Sequence, residues 1–350
     1  MTPPAPLTTT HRVIIGDARR LPIVDASVQL VVTSPPYPMI DMWDDAFSEL
    51  QPGIAGMLAR AEGRAAFEAM HRVLDTVWSE AVRVLVPGGI CCINIGDATR
   101  SLGGEFALYP NHARVIAAML DLGMTVLPDI LWRKPTNAPN KFMGSGMLPG
   151  GAYVTYEHEY ILVFRKGGKR VFTPAEKLRR AESAYFWEER NVWFSDVWVG
   201  LPGAHQRATG GGRERSGAFP FELPYRLVQM YAMQGDTVLD PFAGTGTTLA
   251  AALSSGRNSI GVERLRAFEP AIFESLAQAV DAGRARGDQR LADHAAFVDA
   301  RTAAGKPPGY TSVHHGLGVI TRQETSIRLA VPVRIERGDE QVTAWYLSDS

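Results

Sequence analysis

Val238-Leu-Asp-Pro-Phe-Ala-Gly-Thr-Gly-Thr-Thr248 passes from a short apolar run into a Thr/Leu/Ala-rich stretch, with two glycines at the turn. The run reads as a strand, Thr237–Asp240, and the stretch from Thr247 to Ser254 as a helix. Gly244 and Gly246 let the backbone pass close to a ligand, and the helix start presents unpaired N–H groups to it. Such a unit predicts an α/β fold whose ligand lies at the carboxyl ends of the strands. A dinucleotide fingerprint is not met: Leu249 stands where the third glycine belongs, and no P-loop lysine follows. Asp240 ends this strand, and Glu263 ends the next, Ser259-Ile-Gly-Val-Glu263. The first carboxylate disfavours a polyphosphate and suits an ammonium; the second can accept ribose hydroxyls. A zwitterionic nucleoside fits the pair better than a dinucleotide does. The plainer alternatives are a helix cap at Asp240, a surface carboxylate at Glu263 and a tight turn between strand and helix.

Outward from this unit, short apolar runs recur at residues 11–15, 28–33, 90–95, 125–132 and 159–164. Between them, residues 64–86 carry apolar side chains at spacings of three and four, from Phe67 through Leu74 to Leu85. Pro87-Gly88-Gly89 is expected to stop that helix. Further helices are expected near 111–122 and 221–233. The alternation predicts a doubly wound, mostly parallel sheet. Residues 1–10 read as a disordered lead-in, 11–164 and 216–283 as two halves of one α/β domain, 165–215 as an insertion, and 284–350 as a C-terminal appendage.

Composition sets limits. With 36 Lys and Arg against 37 Asp and Glu, the net charge is −1. This excludes a protein that coats nucleic acid, but leaves room for a local basic face. No apolar run is long enough to span a bilayer, and the N-terminus lacks a signal-peptide pattern, so a cytoplasmic location is expected. The two cysteines, Cys91 and Cys92, are neighbours. They can form neither a disulfide framework nor a spaced metal site, and read as small core side chains, with no metal expected.

Thr33-Ser34-Pro35-Pro36-Tyr37 follows the 28–33 strand. Two prolines fix the backbone and remove two N–H donors, leaving rigid carbonyls, a hydroxyl and an aromatic face. That set suits an exocyclic amino nitrogen of a nucleobase, a poor nucleophile because its lone pair is delocalised into the ring. Acceptors at Ser34 and the Pro35 carbonyl would hold its hydrogens, while Tyr37 stacks on a base drawn out of the duplex. A Pro-rich turn or a polyproline ligand is the alternative.

Together these residues resemble the β class of DNA amino-methyltransferases, which modify cytosine N4 or adenine N6. Ser34-Pro35-Pro36-Tyr37 matches the family's catalytic motif. Asp240-Pro241-Phe242-Ala243-Gly244-Thr245-Gly246-Thr247-Thr248 matches its cofactor loop. Phe219-Pro220 matches a segment that packs on the cofactor, and Gly16-Asp17 one whose carboxylate lies near the cofactor's adenine. Val84-Leu-Val-Pro-Gly-Gly89 and Glu157-His-Glu-Tyr-Ile-Leu-Val-Phe164 match weaker motifs. The resemblance spans Val13 to Phe268, with the catalytic tetrapeptide before the glycine loop, the circularly permuted order of this family. It implies a Rossmann-like fold, S-adenosylmethionine as methyl donor and double-stranded DNA as substrate. A homodimer and a cognate restriction endonuclease are further partners in view. A Ser at the head of the tetrapeptide implies cytosine N4, with adenine N6 as the alternative.

The resemblance also places target recognition at 165–215. Lys166, Lys169, Arg170, Arg179, Arg180 and Arg207 are the expected DNA contacts, interleaved with aromatics such as Tyr185 and Trp187. Glu176, Glu182, Glu188 and Glu189 favour an ordinary solvated surface instead. The stretches 38–63 and 133–141 are expected to share the recognition. A nicotinamide dehydrogenase would leave the tetrapeptide unexplained, and a DNA-binding module with a dead site finds no missing motif.

Overall fold

The computed structural model describes residues 7–134, 143–144, 148–201, 204–206 and 215–347. In chain order its strands are β1 (Thr8–Ile15), β2 (Val28–Thr33), β3 (Leu85–Ile95), β4 (Ala98–Leu102), β5 (Glu105–Tyr109), β6 (Met124–Arg133), β7 (Met143–Gly144), β8 (Ala152–Tyr153), β9 (His158–Lys166), β10 (Val197–Trp198), β11 (Ala204–Gln206), β12 (Arg215–Ala218), β13 (Thr237–Asp240), β14 (Asn258–Glu263), β15 (Tyr310–Thr311), β16 (Gly318–Val319), β17 (Pro332–Arg337) and β18 (Gln341–Tyr346). The α-helices are α1 (Asp44–Leu50), α2 (Gly53–Ala59), α3 (Gly63–Val84), α4 (Asn111–Asp121), α5 (Pro174–Glu182), α6 (Trp187–Trp193), α7 (Glu222–Tyr231), α8 (Thr247–Leu253) and α9 (Glu269–Ala303). Among the described residues no helix is long and apolar enough to cross a membrane.

One sheet organises the molecule, in the order β10-β6-β9-β3-β2-β13-β14-β1-β18-β17. Its centre, β3-β2-β13-β14-β1, is parallel throughout. β9 is antiparallel to both β3 and β6, and β18 to both β1 and β17. This is the doubly wound, mostly parallel sheet expected from the alternation of elements.

The central strands are apolar on both sides because both faces are covered. Along β2 and β3 successive side chains point to opposite faces. Val31, Cys91 and Ile93 join Phe67, Met70, Leu74 and Trp78 of α3 in one core. Leu30, Val32 and Cys92 join Leu223, Leu227 and Val228 of α7 in another. Both cysteines are core residues, as expected, and burial pushes both thiols up. A third cluster packs Leu249, Leu253 and Phe273 of α8 and α9 against Val13, Val342 and Ala344 of β1 and β18.

Four boundaries differ from expectation. β1 opens at Thr8, inside the supposed lead-in, because β18 pairs with Thr8–Arg12. Helix α3 ends at Val84, and Leu85 is already strand. Pro87-Gly88-Gly89 therefore lies inside β3, where pairing with β2 jumps from Val28↔Leu85 to Leu30↔Ile90. The boundary at 284 falls in the middle of α9, and β17–β18 extend the central sheet, so the C-terminal part is no appendage. Segment 165–215 contains the end of β9, helices α5 and α6, the edge strand β10, β11 and the first residue of β12. Helix α5 starts with a Thr173–Glu176 capping box and Pro174 in the first turn, a signal carried by the sequence itself.

Candidate active site

The carboxyl ends of β1, β2, β13 and β14 converge on a cavity of about 130 Å³. Gly16 and Asp17 follow β1, Ser34, Pro35 and Pro36 follow β2, Pro241, Phe242 and Gly244 follow β13, and Glu263 ends β14; all line it. These residues, expected from the sequence to form one site, line the same cavity. Gly244 and Gly246 have φ of 54° and 84°, a left-handed backbone that only glycine takes without strain. Glu263 stitches the turn together: its Oε2 accepts from Gly244 N at 3.0 Å and its Oε1 from Leu265 N at 2.9 Å. Asp17 is held by Arg19, whose guanidinium and backbone N–H both donate to it and keep its carboxyl below the usual range. Trp43, Phe47 and Leu50, with Val73, Leu74 and Val77 of α3, close the cavity. No sequence signal marked that wall, since an apolar helix face does not announce what it covers.

Six expected cofactor contacts lie elsewhere. Asp240 is buried, 2% exposed, and does not line the cavity. Its Oδ1 accepts from Thr33 Oγ1 (2.7 Å) and Phe242 N (3.0 Å), and its Oδ2 from Thr248 Oγ1 (2.7 Å). It ties β2, the turn and α8 together. Burial raises its pKa to about 6 against those hydrogen bonds. Phe219 packs in the core between the sheet and α7, and neither it nor Pro220 reaches the cavity. Thr245, Gly246 and Thr247 shape the turn from outside the cavity wall.

Tyr37 faces a second cavity, of about 280 Å³, with Gly96, Asp97, Lys134, Tyr156, His158 and Glu159. The tetrapeptide thus separates two spaces: Ser34–Pro36 border the first and Tyr37 the second. A polar network underlies it. Tyr37 Oη lies 2.8 Å from Glu159 Oε2, 2.8 Å from Asn94 Nδ2 and 3.1 Å from Ser34 Oγ. Asn94, 3% exposed, also donates to Glu159 Oε2 at 2.7 Å, and Lys134 pairs with Glu159 Oε1. The hydrogen-bond order follows from valence. A carboxylate only accepts, so the phenol proton goes to Glu159, Asn94 donates to the phenol oxygen, and Ser34 donates to it too. Burial beside Glu159 raises the Tyr37 pKa well above 10, so the phenol keeps its proton. A Cβ on Gly96 would come within 3.1 Å of the Tyr37 ring and 3.2 Å of Glu159 Cγ, so glycine lets the two meet. The sequence singles out none of Asn94, Lys134 and Glu159 as a site residue, although Lys134 falls in the 133–141 stretch. Glu159 sits in the Glu157–Phe164 motif, but the lateral pairing of β9 with β3 that joins it to Asn94 is invisible in a linear chain.

The expected DNA contacts separate differently. Lys166 donates to Val82 O (2.6 Å) and Leu85 O (2.8 Å), capping the C-terminus of α3. Arg170 forms a fork with Asp236 (2.7 and 3.1 Å) and reaches Glu176 at 3.1 Å. Arg179 lies 4.0 Å from Glu176, and Arg180 stacks over Phe172 at 4.7 Å. Lys169 is exposed, and Arg207 lies outside the described residues. Strand β9 runs away from the cavities, so Lys166 stands eight residues, roughly 26 Å, from His158 at the active edge. Lys166 and Arg170 thus serve the fold at the opposite edge of the sheet. Glu188 and Glu189 turn to His294 and Arg290 of α9.

A parallel sheet with a glycine turn and a nucleoside-sized slot above a Ser-Pro-Pro-Tyr ledge defines an S-adenosylmethionine-dependent methyltransferase. Residues 28–274 match the family of N6/N4 DNA methylases. Type II methyltransferase M.MthZI of Methanothermobacter thermautotrophicus is 51% identical over 330 residues, covering 93% of this chain and 92% of that protein. M.MjaI of Methanocaldococcus jannaschii is 49% identical over 284 residues, covering 77% and 92%. The solved structure of a putative DNA modification methylase from Thermus thermophilus, complexed with S-adenosyl-L-methionine, is 35% identical with a TM-score of 0.60, covering 77% of this chain and 96% of that one. The chain belongs to the N4/N6 family of DNA amino-methyltransferases, and its methyl donor is S-adenosylmethionine. The cavity fits that donor: Phe242, Leu265 and Phe268 give it apolar walls, and Asp17 and Glu263 add carboxylates.

Proposed function

We propose that this enzyme methylates the exocyclic N4 amino group of cytosine at a specific site in double-stranded DNA. The observation that carries the reading is the hydrogen-bond order at the ledge between the two cavities. Ser34 donates a hydrogen bond to Tyr37 Oη, which donates its own to Glu159 Oε2. The chain ends on a carboxylate, so the Ser34 oxygen is polarised as an acceptor. A flipped cytosine in the second cavity would place its amino hydrogens against Ser34 Oγ and the Pro35 carbonyl, with Tyr37 beside the ring. Held there, the nitrogen turns toward tetrahedral geometry and points its lone pair at the first cavity. S-adenosylmethionine, when bound, supplies an electrophilic methyl group on a sulfonium. Glu263 and Asp17 hold its nucleoside part, and the apolar wall from α1 and α3 excludes water. The methylated nitrogen then loses its extra proton to solvent. Positioning and fixed dipoles supply the catalysis, without a covalent intermediate.

Ser34 is neutral where an adenine enzyme of this family usually carries a carboxylate, which favours cytosine. Sequence reading on the DNA falls to what stands at the active edge: the β4–β5 and β7–β8 hairpins and the β11–β12 hairpin that follows β10. The type II relatives support a cognate restriction endonuclease as functional partner, with both acting on DNA in the cytoplasm. Single-molecule sequencing of plasmid DNA treated with the enzyme tests the base and the site together. One sequence context modified at cytosine supports the reading; modification at adenine alone replaces it with N6 methylation.

A further inference from the structure

Two hairpins rise from the active edge of the sheet. The first, β4–β5, leaves the carboxyl end of β3, and the second, β7–β8, lies between β6 and β9. The inner face of β4–β5 is committed: Arg100 pairs with Asp44 at 2.7 Å, and Leu102 and Tyr109 pack on the first core. Its outer face is not. Alternation along β5 puts Phe106 and Leu108 outward. The Phe106 ring, in a residue 40% exposed, stacks on that of Tyr153, 50% exposed, with centroids 4.8 Å apart and planes 12° from parallel. Val154 follows, 87% exposed, and two residues later Tyr156 lines the second cavity. An apolar ridge in water is costly unless it has a partner. This one leads along the chain to the cavity assigned to the target base, which Tyr156 lines.

We propose that Phe106 and Tyr153 enter the DNA beside the target base and hold open the gap it leaves. The inference rests on the base-flipping reading above and assigns the group that stabilises the flipped state. Withdrawing a base breaks its pairing and its stacking on both sides, an energetic cost that the enzyme must offset. A flat aromatic surface replaces part of that stacking, as apolar wedges do in other DNA-bending proteins. The ring pair offers such a surface already in place.

The test uses the full-length enzyme and two duplexes carrying its mapped site. One is fully paired; in the other the target cytosine faces an abasic position, so no pairing resists its withdrawal. For the double variant Phe106→Ala/Tyr153→Ala, kcat/KM should fall at least tenfold on the paired duplex and stay within about twofold of wild type on the abasic one. S-adenosylmethionine affinity should not change. The ring-preserving pair Phe106→Tyr/Tyr153→Phe should behave as wild type on both. Wild-type rates for the alanine variant on the paired duplex, or an equal loss on both duplexes, overturn the wedge. An inert wild-type enzyme on both duplexes overturns the methyltransferase reading, and the wedge with it.

Discussion

At Tyr37 one phenol joins three residues from three different strands or their ends: Ser34 after β2, Asn94 on β3 and Glu159 on β9. Replacing Glu159 by Gln keeps the shape and removes the charge at the end of the chain. A hydrogen bond to a charged group is worth about 1.5–3 kcal/mol, so turnover on DNA should fall roughly 10- to 100-fold. Calorimetric affinity for S-adenosylmethionine should hold, because Glu159 lies outside the first cavity. Unchanged turnover removes Glu159 from the mechanism. Asp240 makes the opposite kind of prediction. Its native pKa is raised to about 6, above that of an unfolded aspartate near 4. Between those values the folded state binds more protons than the unfolded one, so stability falls as pH rises through the window. Asp240→Asn keeps acceptors for Thr33 and Phe242, and Thr248 can turn its hydroxyl to Val32 O, 3.4 Å away. The variant should gain on the order of 1–3 kcal/mol relative to wild type at pH 7.5. That gain should largely vanish near pH 4. A pH-independent difference in denaturant midpoints contradicts the assignment.

Among the elements, some were plain in the sequence and some were not. The strand–turn–helix at 237–254 and the strand before Ser34 were legible because their signals are local: β-branched runs, paired glycines, a Pro-Pro ledge. The 167–193 segment was legible as basic and aromatic but not as to place. Composition does not reveal which edge of a sheet a segment follows, and here antiparallel β9 carries it to the edge away from the cavities. Its charges then find partners distant in sequence, Arg170 with Asp236 and Arg290 with Glu189. Arg170→Ala leaves Asp236 buried without its cation and should cost about 3 kcal/mol of stability in urea unfolding. Arg179→Ala/Arg180→Ala should leave the slope of DNA affinity against salt as in wild type, since those side chains stand far from the active edge. A slope reduced by one or two units returns them to the DNA interface.

Over the whole molecule, order along the chain and order in space are different things. The catalytic tetrapeptide and the glycine turn lie about two hundred residues apart in sequence, yet β2 and β13 that carry them are adjacent and paired at Leu30↔Val238. The permuted order expected from the sequence places the two motifs on neighbouring strands of one sheet. The last strands, β17 and β18, pair onto the outer side of β1, a place that nothing in their composition announces. The central claim is that all this serves one transfer, from S-adenosylmethionine to an exocyclic amino nitrogen of a DNA base. Nucleoside mass spectrometry tests it most directly, on plasmid DNA incubated with the enzyme and a deuterated methyl donor, then digested to completion. The account predicts labelled N4-methylcytosine; labelled 5-methylcytosine, or no labelled nucleoside at all, would contradict it.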